Sequence, residues 1–281
     1  MSSLSDIKRR IASVKQTRQI TGAMETVSVA KMRKALDKYE KSRAYNAALY
    51  DVMSDLANSE ASGESMLFNA PTDGKDVIIV LSSDRGLCGG FDHEIFKATA
   101  GHITDNTVIM PVGKVACEYY RAADNVDDEF GGMYAAENSV AENIAHKILE
   151  KYGNGVKTVS IAYCEYLSRG SQAPRLKQIL PIEKQSTGAA GNAPYTEVNP
   201  ALLSAIAPIY VSNVVFDAIL NNTVSEHSAR HAAMSAATES ADGIISTLSV
   251  EYNRARQAKV TDQIVEIIGS VAALEKAGSL Q

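Results

Sequence analysis

Leu4-Ser5-Asp6-Ile7-Lys8-Arg9-Arg10-Ile11-Ala12-Ser13-Val14 opens the chain with Leu4, Ile7, Ile11 and Val14 at alternating steps of three and four residues. Such steps keep an apolar stripe on one helix face, and a stripe that narrow is the seam along which one long helix packs on another. Ile20, Met24 and Val27 take the pattern up again after a phase slip. No proline occurs before Pro71. The reading predicts one helix of about fifty residues, roughly 75 Å long, beyond the ordinary globular range.

The far end of the chain has the same grammar. Ile245, Leu248, Tyr252 and Ala255 form one stripe, and Val260, Ile264, Ile267, Val271 and Leu274 form a second after a five-residue step. A helix of some sixty-five residues, roughly 100 Å, is expected from Pro208 onward. Two such helices bury their stripes most simply against each other, as an antiparallel coiled coil returning through whatever lies between them. Slips in the stripes limit a regular supercoil, so the product is a bent, asymmetric shaft. Ile7, Ile11, Val14, Met24, Ile264, Ile267 and Val271 are its expected packing residues.

Between the ends the pattern changes. Residues 58–74, rich in Ser, Gly, Asn and Asp, read as a linker. Asp76-Val77-Ile78-Ile79-Val80-Leu81-Ser82 suits a buried strand, and Ser83-Asp84-Arg85-Gly86-Leu87-Cys88-Gly89-Gly90 its turn. Further strands are expected at 107–112 and 158–163, with an edge strand at 175–182. Helices are expected at 91–100, 114–121 and 139–152. This alternation implies a small, mostly parallel, Rossmann-like α/β domain at 75–186. A low-complexity loop at 187–207 leads to the C-terminal helix, 208–281, and the N-terminal helix takes 1–57. The fold class is α/β with a long coiled coil of the terminal helices.

Composition narrows the function. The formal net charge is −5, yet residues 1–43 hold eleven Lys and Arg against Asp6, Glu25, Asp37 and Glu40. That positive end fits an acidic protein surface, nucleic acid or anionic lipid, or a solvated helix face. Three cysteines without C-x-x-C spacing give neither a disulfide framework nor a zinc knuckle. The N-terminus lacks the apolar core of a secretory signal. Residues 201–220 are long and apolar, but Pro208, Asn213 and Asp217 interrupt them, so a buried helix start is expected and not a membrane span.

Chemical motifs are weak. The loop Gly86-Leu87-Cys88-Gly89-Gly90 follows a strand as phosphate loops do, but matches neither G-x-G-x-x-G nor G-x-x-x-x-G-K-[ST]. His227 and His231 share a helix face, yet Arg230 between them would repel a cation, and an ordinary polar pair is expected. Cys88 next to Arg85 has two readings, a depressed thiol or a packed, inert one, and packing is favoured. No catalytic set, cofactor or metal is expected.

Tyr252-Asn253-Arg254-Ala255-Arg256-Gln257-Ala258-Lys259-Val260-Thr261-Asp262-Gln263-Ile264-Val265-Glu266-Ile267-Ile268-Gly269 resembles the C-terminal signature of the γ subunits of F-type ATP synthases. Residues 7–14 and 17–24 look like that family's first helix, Ser83 to Phe91 its central glycine loop, and Glu226-His227-Ser228-Ala229-Arg230 a further match in order. Gly22 and Gln263 depart from it, standing where a basic residue and a carboxylate are common. No insertion carries a cysteine pair, so the bacterial type is expected and not the redox-regulated chloroplast type.

The resemblance implies a non-catalytic rotor shaft inside a ring of α and β subunits, with the α/β domain meeting ε and the c-ring. Ion flow would turn it, driving ATP synthesis or hydrolysis in β and setting ATPase activity. It would sit peripherally at the cytoplasmic face of a bacterial plasma membrane, touching the membrane only through the c-ring, with no nucleic acid partner. Arg254, Arg256 and Gln257 are implied as the contact with β, with Met24 opposite them. Lys8, Arg9 and Arg10 are candidates for guiding acidic β loops. Asp84, Arg85, Gly86, Cys88 and Gly89 are the implied central-domain loop. The rival classes are a nucleotide-dependent enzyme with helical arms and a static coiled-coil scaffold.

Overall fold

The computed structural model describes residues 3–57, 65–127, 130, 138–182 and 200–278. Helix α1 (Leu4–Ala57) leads to β1 (Lys75–Leu81), α2 (Phe91–Ala100), β2 (Thr107–Val112), α3 (Lys114–Tyr120) and α4 (Asn138–Tyr152). Strands β3 (Val156–Ser168) and β4 (Ser171–Leu180) and helix α5 (Pro200–Gly278) complete the order. Two units result, one from Val27–Ala233 and one from Met1–Thr26 with Met234–Gln281. Both long helices therefore contribute to both units.

In the larger unit the strands lie in the order β2-β1-β3-β4. β1 pairs in parallel with β2 and β3, and β4 returns antiparallel along β3. The sheet is thus mixed, with the expected edge strand in place. β1 reads as an unbroken apolar run because both its faces are covered. Val77, Ile79 and Leu81 pack with Met53 and Leu56 of α1, Ile144 and Ile148 of α4, and Val211 and Val215 of α5. Ile78 and Val80 face the other way, towards Phe91, Ile95 and Phe96 of α2 and Ala116 and Tyr120 of α3.

Two boundaries differ from the sequence expectation. α5 starts at Pro200, inside the predicted 187–207 loop, and carries Pro208 within it. An interior proline costs about 3 kcal/mol. Burial of Leu203, Ala207 and Tyr210 around it outweighs that, at about 1.5–3 kcal/mol for each large apolar side chain. The predicted linker is also partly anchored. Leu67 and Phe68 enter the core, Tyr152 Oη donates to the Met66 carbonyl at 2.8 Å, and Ile182 N donates to that of Leu67 at 2.7 Å. The stretch 187–194 lies outside the described residues.

In the smaller unit the two helices run antiparallel. Thr21 meets Thr238 at 2.8 Å, and Arg18 Nε donates to Asp242 Oδ1 at 2.6 Å. Ile7 is buried and Ile11 and Val14 half-buried. The predicted phase slip does not occur. Ile20 and Val27 are each 54% exposed, and the seam runs on through Arg18, Thr21 and Ser28 at the original spacing. The seam switches to polar residues where the sequence seemed to break phase.

On α5 the stripe Ile245, Leu248, Tyr252 and Ala255 is inward. Beyond it, Ile264, Ile267 and Val271 are 50%, 62% and 50% exposed, and so are not shaft-packing residues within this chain. The reason is register. With Thr21 opposite Thr238, Leu4 reaches only to about residue 256, and α5 continues past the start of α1. Replacing Ile161, fully buried in β3, with alanine is expected to lower unfolding stability by about 2–5 kcal/mol. Ile267→Ala should change it by less than about 0.5 kcal/mol. Urea denaturation of the two variants measures both, and equal losses would contradict the assigned burial.

Candidate functional site

The loop after β1 is held in place by a dense set of hydrogen bonds. Asp92, the second residue of α2, reaches back to it: Oδ1 accepts from Ser83 N at 2.7 Å, and Oδ2 accepts from Ser83 Oγ at 2.7 Å and Cys88 Sγ at 3.3 Å. A carboxylate there is favoured by the positive end of the helix dipole. Ser82 Oγ accepts from Ala116 N at 2.8 Å and donates to the Val112 carbonyl at 3.2 Å. Asp84 Oδ1 accepts from Lys114 N at 3.0 Å. The loop is stitched to the β2–α3 junction, where Gly113 at φ +99° leaves room for it. A Cβ there would come within 2.6 Å of Ser82 Oγ and 2.7 Å of its carbonyl oxygen.

α5 closes the loop from the other side. Arg230 Nη2 donates to the Arg85 carbonyl at 2.7 Å, with longer contacts of 3.4 Å to that of Gly86. Its Nη1 meets Glu226 Oε1 at 2.7 Å and His227 Nδ1 at 3.1 Å. The two charged side chains are only 8% and 7% exposed, so each is tolerated because of the other. Burial holds the Glu226 carboxyl above its usual range, against the pull of Arg230. Burial, reinforced by Arg230 and Lys31, lowers the His227 imidazole to about 4. One turn earlier, Asn222 Oδ1 accepts from Cys164 N at 2.9 Å, while Ser228 Oγ donates to the Arg169 carbonyl at 2.7 Å.

The predicted loop residues are therefore brought together, in a bracing role. Asp84 is half-buried, Arg85, Gly86 and Gly89 are exposed, and Cys88 is buried. The Cys88 thiol is not depressed: burial, then Asp92, pushes it up to about 11. The likeness to a phosphate loop ends at Asp92, which takes the Ser83 amide and, with Glu94, puts negative charge in the first turn of α2. His227 spends its Nδ1 on Arg230, and no group of His, Cys, Asp and Glu fit to hold a metal occurs among the described residues.

Arg254, Arg256 and Gln257 stand exposed on α5, away from this loop in sequence and in the other unit. Met24 is not opposite them. The register that pairs Thr21 with Thr238 sets Met24 near residue 236, about 20 residues or roughly 30 Å along the axis from Arg256. Asp92 and Asn222 were missed by the sequence reading. For Asp92 the available signal was an acid in the first turn of a helix after a glycine loop. For Asn222 it was an amide inside an apolar run.

A small sheet covered on one face by both long terminal helices is a fold shared with solved ATP synthase central stalks. The chain resembles a rotor structure of the Euglena gracilis mitochondrial ATP synthase with TM-score 0.71 at 17% identity, covering 92% of this chain and 98% of that one. A central stalk and c-ring structure of the Tetrahymena thermophila mitochondrial enzyme gives 0.63 at 19% identity, covering 78% and 99%. Residues 3–274 match the family described as ATP synthase. The ATP synthase gamma chain of Anaeromyxobacter dehalogenans strain 2CP-1 is 38% identical, covering 98% of this chain and 100% of the relative. That of Fusobacterium nucleatum is 34% identical with the same coverage. The chain belongs to the ATP synthase gamma chain family.

Two outcomes test the loop brace. Arg230→Met leaves Glu226 buried without its counter-charge, at an expected cost of about 3–5 kcal/mol. Its folded carboxyl is then held further above the unfolded value, so the loss should be larger at pH 8 than at pH 5. Equal losses in melts at the two pH values would contradict this. Neutral, buried His227 stabilises the fold fully above its unfolded pKa of 6.5, and that contribution is lost as pH falls towards 4. His227→Gln should flatten the stability profile over that window in denaturant titrations.

Proposed function

We propose that this chain is the central rotor shaft of an F1 sector, non-catalytic itself, coupling ion flow through a membrane c-ring to ATP synthesis or hydrolysis in β subunits. The observation that carries the reading is the uncovered stretch of α5. Val260, Ile264, Val265, Ile267, Ile268 and Val271 are each 48% or more exposed. They crowd a helix that α1 no longer reaches. An apolar face that wide, left without a partner in the chain, needs one outside it, and a ring of α and β subunits supplies a sleeve. Dispersion contacts with such a sleeve are individually weak and undirected, so the helix turns without breaking strong bonds.

Coupling requires that different faces of the shaft stabilise different β states, because a ligand shifts an equilibrium only by its differential affinity. A chain with one helix longer than its partner is asymmetric by construction. Exposed Arg254, Arg256 and Gln257, at the last turns where α1 still provides cover, are suited to charge-assisted and amide hydrogen bonds with β. Lys8, Arg9 and Arg10, also exposed, are suited to guide acidic β loops. In this reading the α/β domain meets ε and the c-ring, and through them ATPase activity is regulated. Among the described residues no helix is long and apolar enough to cross a membrane. Peripheral placement at the cytoplasmic face of a bacterial plasma membrane completes the proposal.

Co-purification with α and β subunits at one copy to three of each is the direct test. In that assembly Arg256→Ala and Gln257→Ala should each slow coupled ATP turnover about tenfold, the effect of one lost charge-assisted bond of about 1.5 kcal/mol. Stability of the chain should move by less than about 0.5 kcal/mol. Unchanged turnover in both variants would favour a static scaffold, and saturable nucleotide binding by the chain alone would favour an enzyme.

A further inference from the structure

β1 pairs with β3 only as far as Val80 opposite Ala162 and then parts from it, staying paired with β2 to Leu81 opposite Val112. On the other side of β3, Cys164 lies opposite Pro174 of β4, which has no amide hydrogen to exchange. The Cys164 amide is thus directed to the side that β1 has vacated, in a residue only 2% exposed. It would be an orphaned buried donor. The Asn222 side chain, itself fully buried on α5, takes the vacated position and accepts at 2.9 Å. An amide on a helix stands in for the missing strand.

We propose that Asn222 is the positioning residue that fixes the rotational setting of α5 on the sheet, so that torque passes between the α/β domain and the helix. This rests on the rotor reading. The two helix turns before Asn222 are apolar on this side, with Val215, Ala218 and Ile219 nearly inaccessible, and Ser225 and Glu226 one turn after it are buried and polar. Apolar packing tolerates small turns of a helix about its axis with little change in buried area. A directional bond between two buried partners does not, since turning α5 breaks it and leaves a donor and an acceptor unsatisfied. One buried amide fixes register in coiled coils in the same manner. Ser228 Oγ on the Arg169 carbonyl, 2.7 Å, adds a second directional bond from the same helix to the β3–β4 turn.

The test compares Asn222→Leu with Ile144→Val in the purified, membrane-reconstituted synthase. Ile144 is fully buried in α4, and its trimming weakens the core without touching a directional bond. For Asn222→Leu, the number of ions pumped per ATP hydrolysed is expected to fall about fivefold, the factor corresponding to one lost buried hydrogen bond. The angular spread of the rotating shaft, followed by a probe on the α/β domain, should widen. Ile144→Val should keep the wild-type ratio and spread despite its lower melting temperature. If Asn222→Leu does not assemble, Asn222→Ser carries the same comparison, since its hydroxyl falls short of the Cys164 amide. Wild-type coupling in the substituted enzyme, or an equal loss in Ile144→Val, overturns the assignment. A wild-type assembly that hydrolyses ATP without turning this chain overturns the rotor reading instead.

Discussion

Burying a polar group is tolerable only when a partner is at the right distance and angle, and α5 meets that demand repeatedly along its buried middle stretch. Asn222, Ser228 and Arg230 each end on a backbone group of β3, of the β3–β4 turn or of the loop after β1. Apolar contacts supply most of the free energy that holds the helix to the sheet, but many neighbouring settings would bury nearly the same area. The polar contacts choose among them. Because the Arg230 contacts reach the loop at Arg85 and Gly86, the setting of the helix and the shape of the loop are one decision.

The same division of labour runs along α1. Where the seam is apolar it contributes cohesion, and where it turns polar it contributes register. Arg18 with Asp242 is about half-exposed on both sides and is worth little as a surface ion pair, about 0–1 kcal/mol. Thr21 with Thr238 is more sheltered and still weak. In the larger unit Asn46 Nδ2 donates to Asp217 Oδ1 at 2.6 Å, again between α1 and α5. Weak bonds at fixed places suit a helix pair that must hold one alignment while exposing part of its length.

The loop after β1 illustrates how one local geometry serves different ends. A strand, a glycine-rich turn and a helix N-terminus make a ready anion site when the amides are left free. Here Asp92 supplies the negative charge from within the chain, and Ser82, Ser83 and Gly113 pack so closely that the loop becomes a brace. Leu87 is left at its tip, 62% exposed and at φ +66°, held there by the bonds on either side of it.

Residue spacing alone determined the two long helices, the strand and helix alternation between them, and the absence of a phosphate-loop pattern, because helical and strand periodicities are local properties of the chain. The order of the seven residues from Asp76 to Ser82 was enough to mark a strand buried on both faces. Only the tertiary structure decided where the helices pair. Ile264, Ile267 and Val271 look like seam residues by spacing, yet α1 begins too late to cover them, and a polar continuation through Thr21 and Ser28 looked like a slip. Spacing reports which residues share a face, whereas the partner of that face depends on where distant segments start. Likewise the sequence displayed Asp92, Asn222 and Arg230 without their roles, since a buried hydrogen bond is defined by an acceptor or donor as many as 145 residues away.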